Sequence, residues 1–148
     1  MIHSLQIGDS EAELAIQAIR TELVSRNKAA VIAVGDAQGE LIALFRMNGA
    51  MLPSMVVASN KVWTSARQRQ PTGQVGADSR SEGWDFSFYG DPRYMGWPGG
   101  LPVIIDGKVV GAVAVSGLSG AEDEVFAALG VDAIMNSTMT LSRQMAPL

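Results

Sequence analysis

The chain has no cysteine and a single histidine among its 148 residues. Without cysteine, disulfides, thiolate nucleophiles and zinc–thiolate sites are excluded. The histidine, His3, lies close to the N-terminus, where it is a poor candidate for a Ser–His–Asp triad or a histidine-rich metal centre. The sequence therefore predicts no metal site.

Basic residues are also few. Eleven Lys and Arg stand against fifteen Asp and Glu, for a net charge of −4. Nucleic-acid binding depends on clustered positive charge, so this balance argues against a nucleic-acid partner. No apolar run reaches membrane-spanning length, and no basic segment followed by an apolar core opens the chain. These absences predict a cytoplasmic protein with no membrane partner.

A phosphate-binding loop is not predicted either. The glycine-rich segment Gly96–Gly100 lacks the spacing of a Walker motif and its Lys-Ser/Thr pair. It also precedes an apolar run typical of a strand, whereas a phosphate loop opens a helix. A P-loop nucleotide site is therefore rejected.

The patterns that are present predict one α+β domain over residues 1–148, with helices packed on a central antiparallel sheet of about five strands. Two hairpins supply the strands, and residues 71–100 are predicted to be irregular because glycines interrupt any period there. The predicted elements are a helix over 11–26, strands at 29–34 and 41–45, a helix over 51–67, strands at 101–105 and 109–115, a helix from 119 ending at Gly130, and a helix over 131–143.

The second hairpin carries the clearest local signal. Asp106-Gly107 joins two apolar runs, and a type I′ turn requires positive φ at both of its central residues. Both runs are apolar on both faces, which predicts two strands at the centre of a covered sheet. Gly111 marks a point in the second strand where either close packing or a ligand leaves no room for a side chain.

Two capping boxes predict where helices begin. Ser10 and Glu13 have the spacing of a cap at the first helix, and Ser119 and Glu122 repeat it before the last. Asp123 and Glu124 then fall in the first turn of the last helix, where acidic groups complement the helix dipole.

Six of the nine aromatic residues fall between positions 84 and 97. A long aromatic segment in a small domain is typical of a functional loop or of a subunit contact. Two interpretations stay open: the rings line a ligand site, or they close one end of the core or an oligomer interface. These residues are Trp84, Phe86, Phe88, Tyr89, Tyr94 and Trp97.

The chemistry available is a set of polar residues at predicted element ends: Arg46, Lys61, Ser116, Asp123 and Glu124. Arg46 and Lys61 together can hold a carboxylate, the arginine through its bidentate fork. Backbone N–H groups at the start of the last helix, near Ser116, can add an anion site. The alternative is that Arg46 and Lys61 form structural ion pairs with Asp36, Asp123 or Glu124.

In combination, ordered segments resemble the GlcG/HbpS-like haem-binding family, from about residue 10 to 135. Each segment alone is a weak signal. They are Val31-Ile-Ala-Val-Gly-Asp36, Gly39-Glu-Leu-Ile-Ala43, Arg46-Met-Asn-Gly-Ala50, Ala58-Ser-Asn-Lys61, Gly99-Gly-Leu-Pro-Val103, Asp106-Gly-Lys-Val-Val-Gly-Ala112, Val115-Ser-Gly117, Glu122-Asp-Glu124 and Ala128-Leu-Gly130.

The resemblance implies a profilin-like fold, a homo-oligomer and a small-molecule ligand, with haem or another planar cofactor as a candidate. The predicted ligand-binding residues are Arg46, Met47, Lys61, Trp84, Tyr89, Tyr94, Gly99, Gly100, Ser116 and Gly117. Haem needs an axial ligand from His, Met, Tyr or Cys. Here the candidates are His3, Met47, Met95, Tyr89 and Tyr94.

Three hypotheses about function follow. The first is a module that binds haem or another planar ligand. The second is an enzyme acting on a small organic acid, with Arg46 and Lys61 anchoring carboxylate and Asp123 or Glu124 as acid or base. The third is a non-catalytic oligomeric accessory protein of a catabolic operon. A pocket that gathers Arg46, Lys61 and Glu124 favours the enzyme, whereas their separation on the surface favours the first or third.

Overall fold

The structure is a computed structural model that describes residues 1–147. Its strands come as two consecutive pairs set between helices, with one short 3-10 helix between the third helix and the third strand. The elements are α1 (Asp9–Ser25), β1 (Val31–Gly35), β2 (Leu41–Arg46), α2 (Ser54–Gln68), α3 (Thr72–Glu82), the 3-10 helix Phe86–Tyr89, β3 (Gly100–Ile105), β4 (Lys108–Ser116) and α4 (Gly120–Met145).

The strands form one antiparallel sheet in the order β2-β1-β4-β3. The α+β prediction is confirmed, with four strands in the described residues where about five were expected. The prediction that both strands of the second hairpin are central was wrong for β3, which lies at an edge. Its partner β4 is central and pairs with both β1 and β3.

Helices cover both faces of the sheet, which explains why β1 is apolar throughout. Ile32 and Val34 face a core shared with α1 and α4, while Val31 and Ala33 face a second core against α2. Because side chains alternate along a strand, a strand covered on both faces reads as a continuous apolar run. All five residues of β1 are buried.

The Asp-Gly turn between β3 and β4 has the predicted geometry. Asp106 and Gly107 have φ values of 51° and 73°, as a type I′ turn requires. The close approach expected at Gly111 comes from packing, because a Cβ there would lie 2.4 Å from Cδ1 of Ile7. The Ile7 N–H also donates to the Val110 carbonyl at 2.9 Å, which anchors the N-terminal segment to β4.

Two predicted helix boundaries were wrong. The first helix begins at Asp9 with Gly8 as its N-cap, because the Glu11 carboxylate accepts the Gly8 N–H at 2.8 Å. The last helix does not end at Gly130 but continues to Met145. Gly130 sits inside α4 because a Cβ there would lie 2.7 Å from Cδ1 of Ile19, so glycine lets α1 and α4 pack closely.

The prediction of an irregular stretch over residues 71–100 was wrong over Thr72–Glu82, which form α3, and over the 3-10 helix. Glycines weaken a helical period, but here they serve a contact between backbones. A Cβ on Gly76 would lie 2.1 Å from the carbonyl oxygen of Gly96. Tertiary packing of Val75, which is buried, then stabilises a helix of low intrinsic propensity.

Helix α4 differs from the expectation that no segment is long and apolar enough to span a membrane. By length and composition it could cross one, and 22% of its most apolar 18-residue stretch is buried. The core helix of a soluble protein passes the same test, and Phe126, Ala127 and Ile134 of α4 are buried in the core. The absence of a membrane partner remains a prediction.

Candidate functional site

Two oppositely charged side chains meet inside the protein between α2 and the start of α4. Lys61 is 1% exposed and Asp123 is 3% exposed, and the distance between Nζ and Oδ2 is 3.0 Å. Lys61 Nζ also donates to the Val115 carbonyl at 2.9 Å, and Asp123 Oδ1 accepts the Leu118 N–H at 3.1 Å. The alternative interpretation, in which Lys61 forms an ion pair with Asp123, is therefore what the structure shows.

Helical spacing explains why α2 buries a lysine. Ser54, Ala58 and Lys61 are separated by four and three residues, so they share the face of α2 that packs on the sheet. Asp123 is placed by the start of α4, where the Ser119 hydroxyl accepts the Glu122 N–H at 3.2 Å as the cap. The predicted cap at Ser119 is thus confirmed.

Burial acts on the ionisation of both groups. Loss of hydration lowers the pKa of Lys61, while the nearby Asp123 carboxylate and its hydrogen bond oppose that shift. Loss of hydration likewise raises the pKa of Asp123, opposed by Lys61 and by backbone N–H groups. Both groups are displaced toward their neutral forms, which is typical of functional sites as well as of buried ion pairs.

The pair opens onto a cavity of about 490 Å³ at the ends of α2, β4 and α4. Its polar lining comes from Lys61, Asp123, Ser54 and Ser116. The other lining residues are apolar or glycine: Met51, Pro53, Val57, Trp97, Pro98, Gly117, Leu118 and Gly120. A concave, largely apolar pocket with a few convergent polar groups has the character of a small-molecule site.

Two glycines before and at the start of β3 make room for the lysine. Gly99 has a φ of 123°, and a Cβ there would lie 2.7 Å from Lys61 Nζ and 2.7 Å from Asp123 Cβ. A Cβ on Gly100 would lie 2.7 Å from the Lys61 carbonyl oxygen. Both were predicted ligand-binding residues, and the structure places them against Lys61 instead of among the cavity-lining residues.

The structure brings together some of the predicted site residues. Lys61, Ser116, Gly117 and Asp123 line the same cavity. Arg46 is exposed on β2, Met47 packs against the core on the α1 side, and the half-buried Glu124 carboxylate lies near Gly73. The cavity therefore does not gather Arg46, Lys61 and Glu124.

Sequence reasoning missed most of the apolar half of the cavity, in particular Met51, Val57 and Pro98, as well as the hydroxyl of Ser54. A signal for Ser54 was present, since it lies seven residues before Lys61 on one helical face. No comparable signal marked Pro98, because its place depends on how the segment before β3 folds back.

The aromatic segment divides between two places. Trp97 lines the cavity, whereas Trp84, Tyr89 and Tyr94 pack on one another outside it. The Tyr89 and Tyr94 rings stack with centroids 4.3 Å apart, and Trp84 meets the Tyr89 ring edge-on at 5.7 Å. The ring centroids of Tyr94 and Trp63 of α2 are 6.3 Å apart, so this cluster packs against α2.

Trp63 lies between two guanidinium groups. Arg67 Cζ is 3.4 Å and Arg93 Cζ 3.3 Å from its ring centroid, and two groups this close to one ring can only lie on opposite faces. Arg93 is fixed in turn by an ion pair with Asp91 at 2.8 Å. Among the described residues, the Trp63 indole Nε1 is a buried polar atom without a hydrogen-bond partner.

The haem-ligand candidates from the sequence lie outside the cavity lining. His3 is exposed, and the chain that follows it is anchored at Val110, six residues before Ser116 along β4. Met47, Met95, Tyr89 and Tyr94 are likewise not lining residues. Met51, at the rim and 63% exposed, is a lining residue of the cavity with a side chain able to ligate haem iron.

Residues 1–147 contain no group of three or more His, Asp or Glu side chains placed to hold a metal ion.

Known proteins resemble this chain both in sequence and in fold. The chain is 35% identical over 110 residues to the protein GlcG of Escherichia coli K12, covering 74% of this chain and 81% of GlcG. The crystal structure of ORFY from Klebsiella pneumoniae superposes with a TM-score of 0.80 at 26% identity, over 91% of this chain and 97% of ORFY. The structure of PduOC in complex with haem gives 0.79 at 21% identity, over 87% and 95%.

A family model described as "Haem degrading protein HbpS-like" matches residues 7–132. This match spans most of the chain, including α1, the whole sheet, Lys61 and Asp123. Together with the GlcG relative, it shows that the chain belongs to the HbpS-like family.

Proposed function

We propose that this protein binds a small molecule in the cavity between α2 and α4. The observation that carries the proposal is the Lys61–Asp123 pair, buried at the polar end of a cavity whose walls are otherwise mainly apolar. Such a site can bury the apolar body of a ligand while Lys61, Ser54 and Ser116 orient its polar group.

Haem is the first ligand to test, because the chain belongs to the HbpS-like family and the similar PduOC structure was solved in complex with haem. The lining fits such a group in part. Trp97, Pro98 and Val57 offer apolar surface, Ser54 and Ser116 offer hydroxyl groups to a carboxylate, and Met51 offers a thioether to iron. When bound, haem would supply its redox-active iron.

The test is a haemin titration followed by absorbance, comparing two valine substitutions. Val57 lines the cavity, whereas Val24 of α1 is 57% exposed and is not a lining residue. Val57→Trp fills the cavity and should abolish a saturable Soret shift, while Val24→Trp should leave it intact. Equal binding by both variants would show that haem, if it binds, does so elsewhere.

The axial ligand is tested in the same assay. Met51→Leu keeps the volume of the side chain but removes the sulfur, and it should change the Soret and visible bands of the bound haem. Met139→Leu is the matched control, because Met139 is exposed on α4 and does not line this cavity. His3→Ala tests the alternative ligand. Loss of the Soret shift in that variant alone would identify His3, and not Met51, as the axial ligand.

We also propose that the protein forms a homo-oligomer. What supports this is exposed apolar surface beside the cavity: Leu52, in the turn just before α2, is 66% exposed, and Val56, in the first turn of α2, is 65% exposed. Adjacent exposed apolar side chains of this size mark interaction surfaces.

A further inference from the structure

The cavity holds an amine in an environment that suits covalent chemistry. The chain has three lysines, and Lys28 and Lys108 differ from Lys61 in exposure. The Lys28 side chain is 37% exposed in an ion pair with Glu122, and Lys108 is exposed beside the turn of the second hairpin. Lys61 alone of the three is buried and lines a cavity.

We propose that Lys61 is a nucleophile that condenses reversibly with the carbonyl group of a small, uncharged aldehyde or ketone, with Asp123 as the group that moves the proton. This inference rests on the proposed ligand site and specifies the chemical class of its ligand.

The geometry around Nζ supports this role. Its hydrogen bonds to the Val115 carbonyl and to Asp123 use two of the three N–H positions of a protonated amine. The backbone of Gly99 packs closely against Nζ, because a Cβ there would lie 2.7 Å away, and a ligand reaches the lysine from the cavity that Lys61 lines. Asp123 Oδ2, at 3.0 Å, is close enough to exchange a proton with the amine or with an oxygen bonded next to it.

Burial favours the reactive form of the amine. An amine attacks a carbonyl only when it is unprotonated, and lysines are activated by desolvation in apolar pockets. The lowered pKa of Lys61 and the raised pKa of Asp123 have this same cause, loss of hydration. Transfer of one proton from Nζ to Oδ2 then leaves a neutral amine beside a neutral carboxylic acid.

The reaction balances without any further reagent. The nitrogen lone pair forms a bond to the carbonyl carbon, the π electrons move to the oxygen, and that oxygen takes the proton of Asp123. The nitrogen returns a proton to the Asp123 carboxylate, giving a neutral carbinolamine. Asp123 then protonates the hydroxyl, which leaves as water while the nitrogen lone pair forms the double bond. The remaining N–H proton passes to the Asp123 carboxylate, and the product is the neutral imine.

The lining also selects the class of carbonyl compound. Lys61 is the only cation among the lining residues, and its charge is already compensated by Asp123. A second carboxylate brought into this apolar cavity would be unpaired and would carry the full desolvation penalty of a buried ion. A short aliphatic aldehyde or ketone therefore fits better than an oxo acid.

The test traps the imine chemically. The full-length protein is incubated at neutral pH with butanal and cyanoborohydride, and peptide mapping by mass spectrometry measures butylation at each lysine. We expect Lys61 to react faster than Lys108, by about tenfold for each unit by which its pKa lies below that of an ordinary lysine. Modification of Lys28 and Lys108 with Lys61 untouched would overturn the proposal.

Variants separate this proposal from the broader one. Val57→Trp should block butylation of Lys61 and Val24→Trp should not, while Lys28 and Lys108 react equally in both. Lys61→Arg, checked for folding by its thermal melt, should lose only the one label. Saturable haemin binding that is blocked by Val57→Trp, together with an unreactive Lys61, would defeat the covalent role and leave the ligand site standing. Butylation of Lys61 that Val57→Trp does not change would count against the cavity itself.

Discussion

At the scale of single residues, the Lys61–Asp123 pair is the feature with the largest expected energetic effect. Lys61→Met removes the partner of a carboxylate that is 3% exposed, and we expect a loss of about 3–5 kcal/mol in the free energy of unfolding. Lys61→Met combined with Asp123→Leu should recover much of this loss, because an apolar pair leaves no buried charge. Urea denaturation measures both, and a double variant no more stable than the single one would contradict the explanation.

Asp91 gives a second prediction at this scale. Hydrogen bonds from the Arg93 side chain and backbone N–H lower its pKa to about 2, from 3.8. The carboxylate form therefore favours the folded state above pH 3.8, and this contribution is lost as the pH falls toward about 2. Titration of the Asp91 carboxyl by ¹³C NMR should give the low value, and Arg93→Gln should move it back toward 3.8. An unchanged Asp91 pKa in that variant would rule out the Arg93 side chain as the cause.

At the scale of elements, the contact of α1 with α4 depends on Gly130. Gly130→Ala puts a Cβ 2.7 Å from Ile19 Cδ1 and 2.9 Å from Val113 Cγ1. Overpacking costs about 1–3 kcal/mol, against about 1 kcal/mol gained in helix propensity, so we expect a net loss of stability. Ile19→Val removes the Cδ1 atom. We therefore expect Ile19→Val to cost less stability when Gly130→Ala is already present than it costs in the wild-type protein. A double-mutant cycle by denaturant unfolding measures this coupling, and additive effects would refute it.

The elements also show what the sequence could and could not predict. The hairpins and the cap at Ser119 were predictable because turn and cap chemistry is local. Gly130 misled the prediction because a glycine at a helix end and one at a helix contact look the same in sequence. Helix α3 was missed for a related reason: its glycine Gly76 is explained by Gly96, twenty residues away.

The candidate site was predictable in its polar half only. Lys61, Ser116 and Asp123 stood out as polar groups at element ends, and helix and strand geometry bring them together. Arg46 lies on β2 directly opposite Val31, which in turn lies opposite Ser116, so two strand spacings separate it from the cavity side. That separation depends on the strand order β2-β1-β4-β3, which sequence patterns do not specify.

At the scale of the whole molecule, the proposed homo-oligomer is open to direct measurement. Leu52→Glu combined with Val56→Glu places two like charges in the exposed apolar patch on α2, and we expect light scattering to show a smaller species than the wild type forms. Val24→Glu is the control, because Val24 is 57% exposed on α1, away from this patch. A monomeric wild-type protein would refute the oligomer, and an unchanged mass in the double variant would move the interface elsewhere.

The packing of α1 against α4 also has a consequence for how the chain matures during synthesis. Ile19, near the beginning, contacts Gly130, near the end, and β1 pairs with β4 about eighty residues later. Domain-wide contacts of this kind form only after the last segment is available. A nascent chain halted before α4 therefore exposes the apolar side of α1 together with one face of the sheet, and its core stays accessible to proteases and chaperones until α4 has been synthesised.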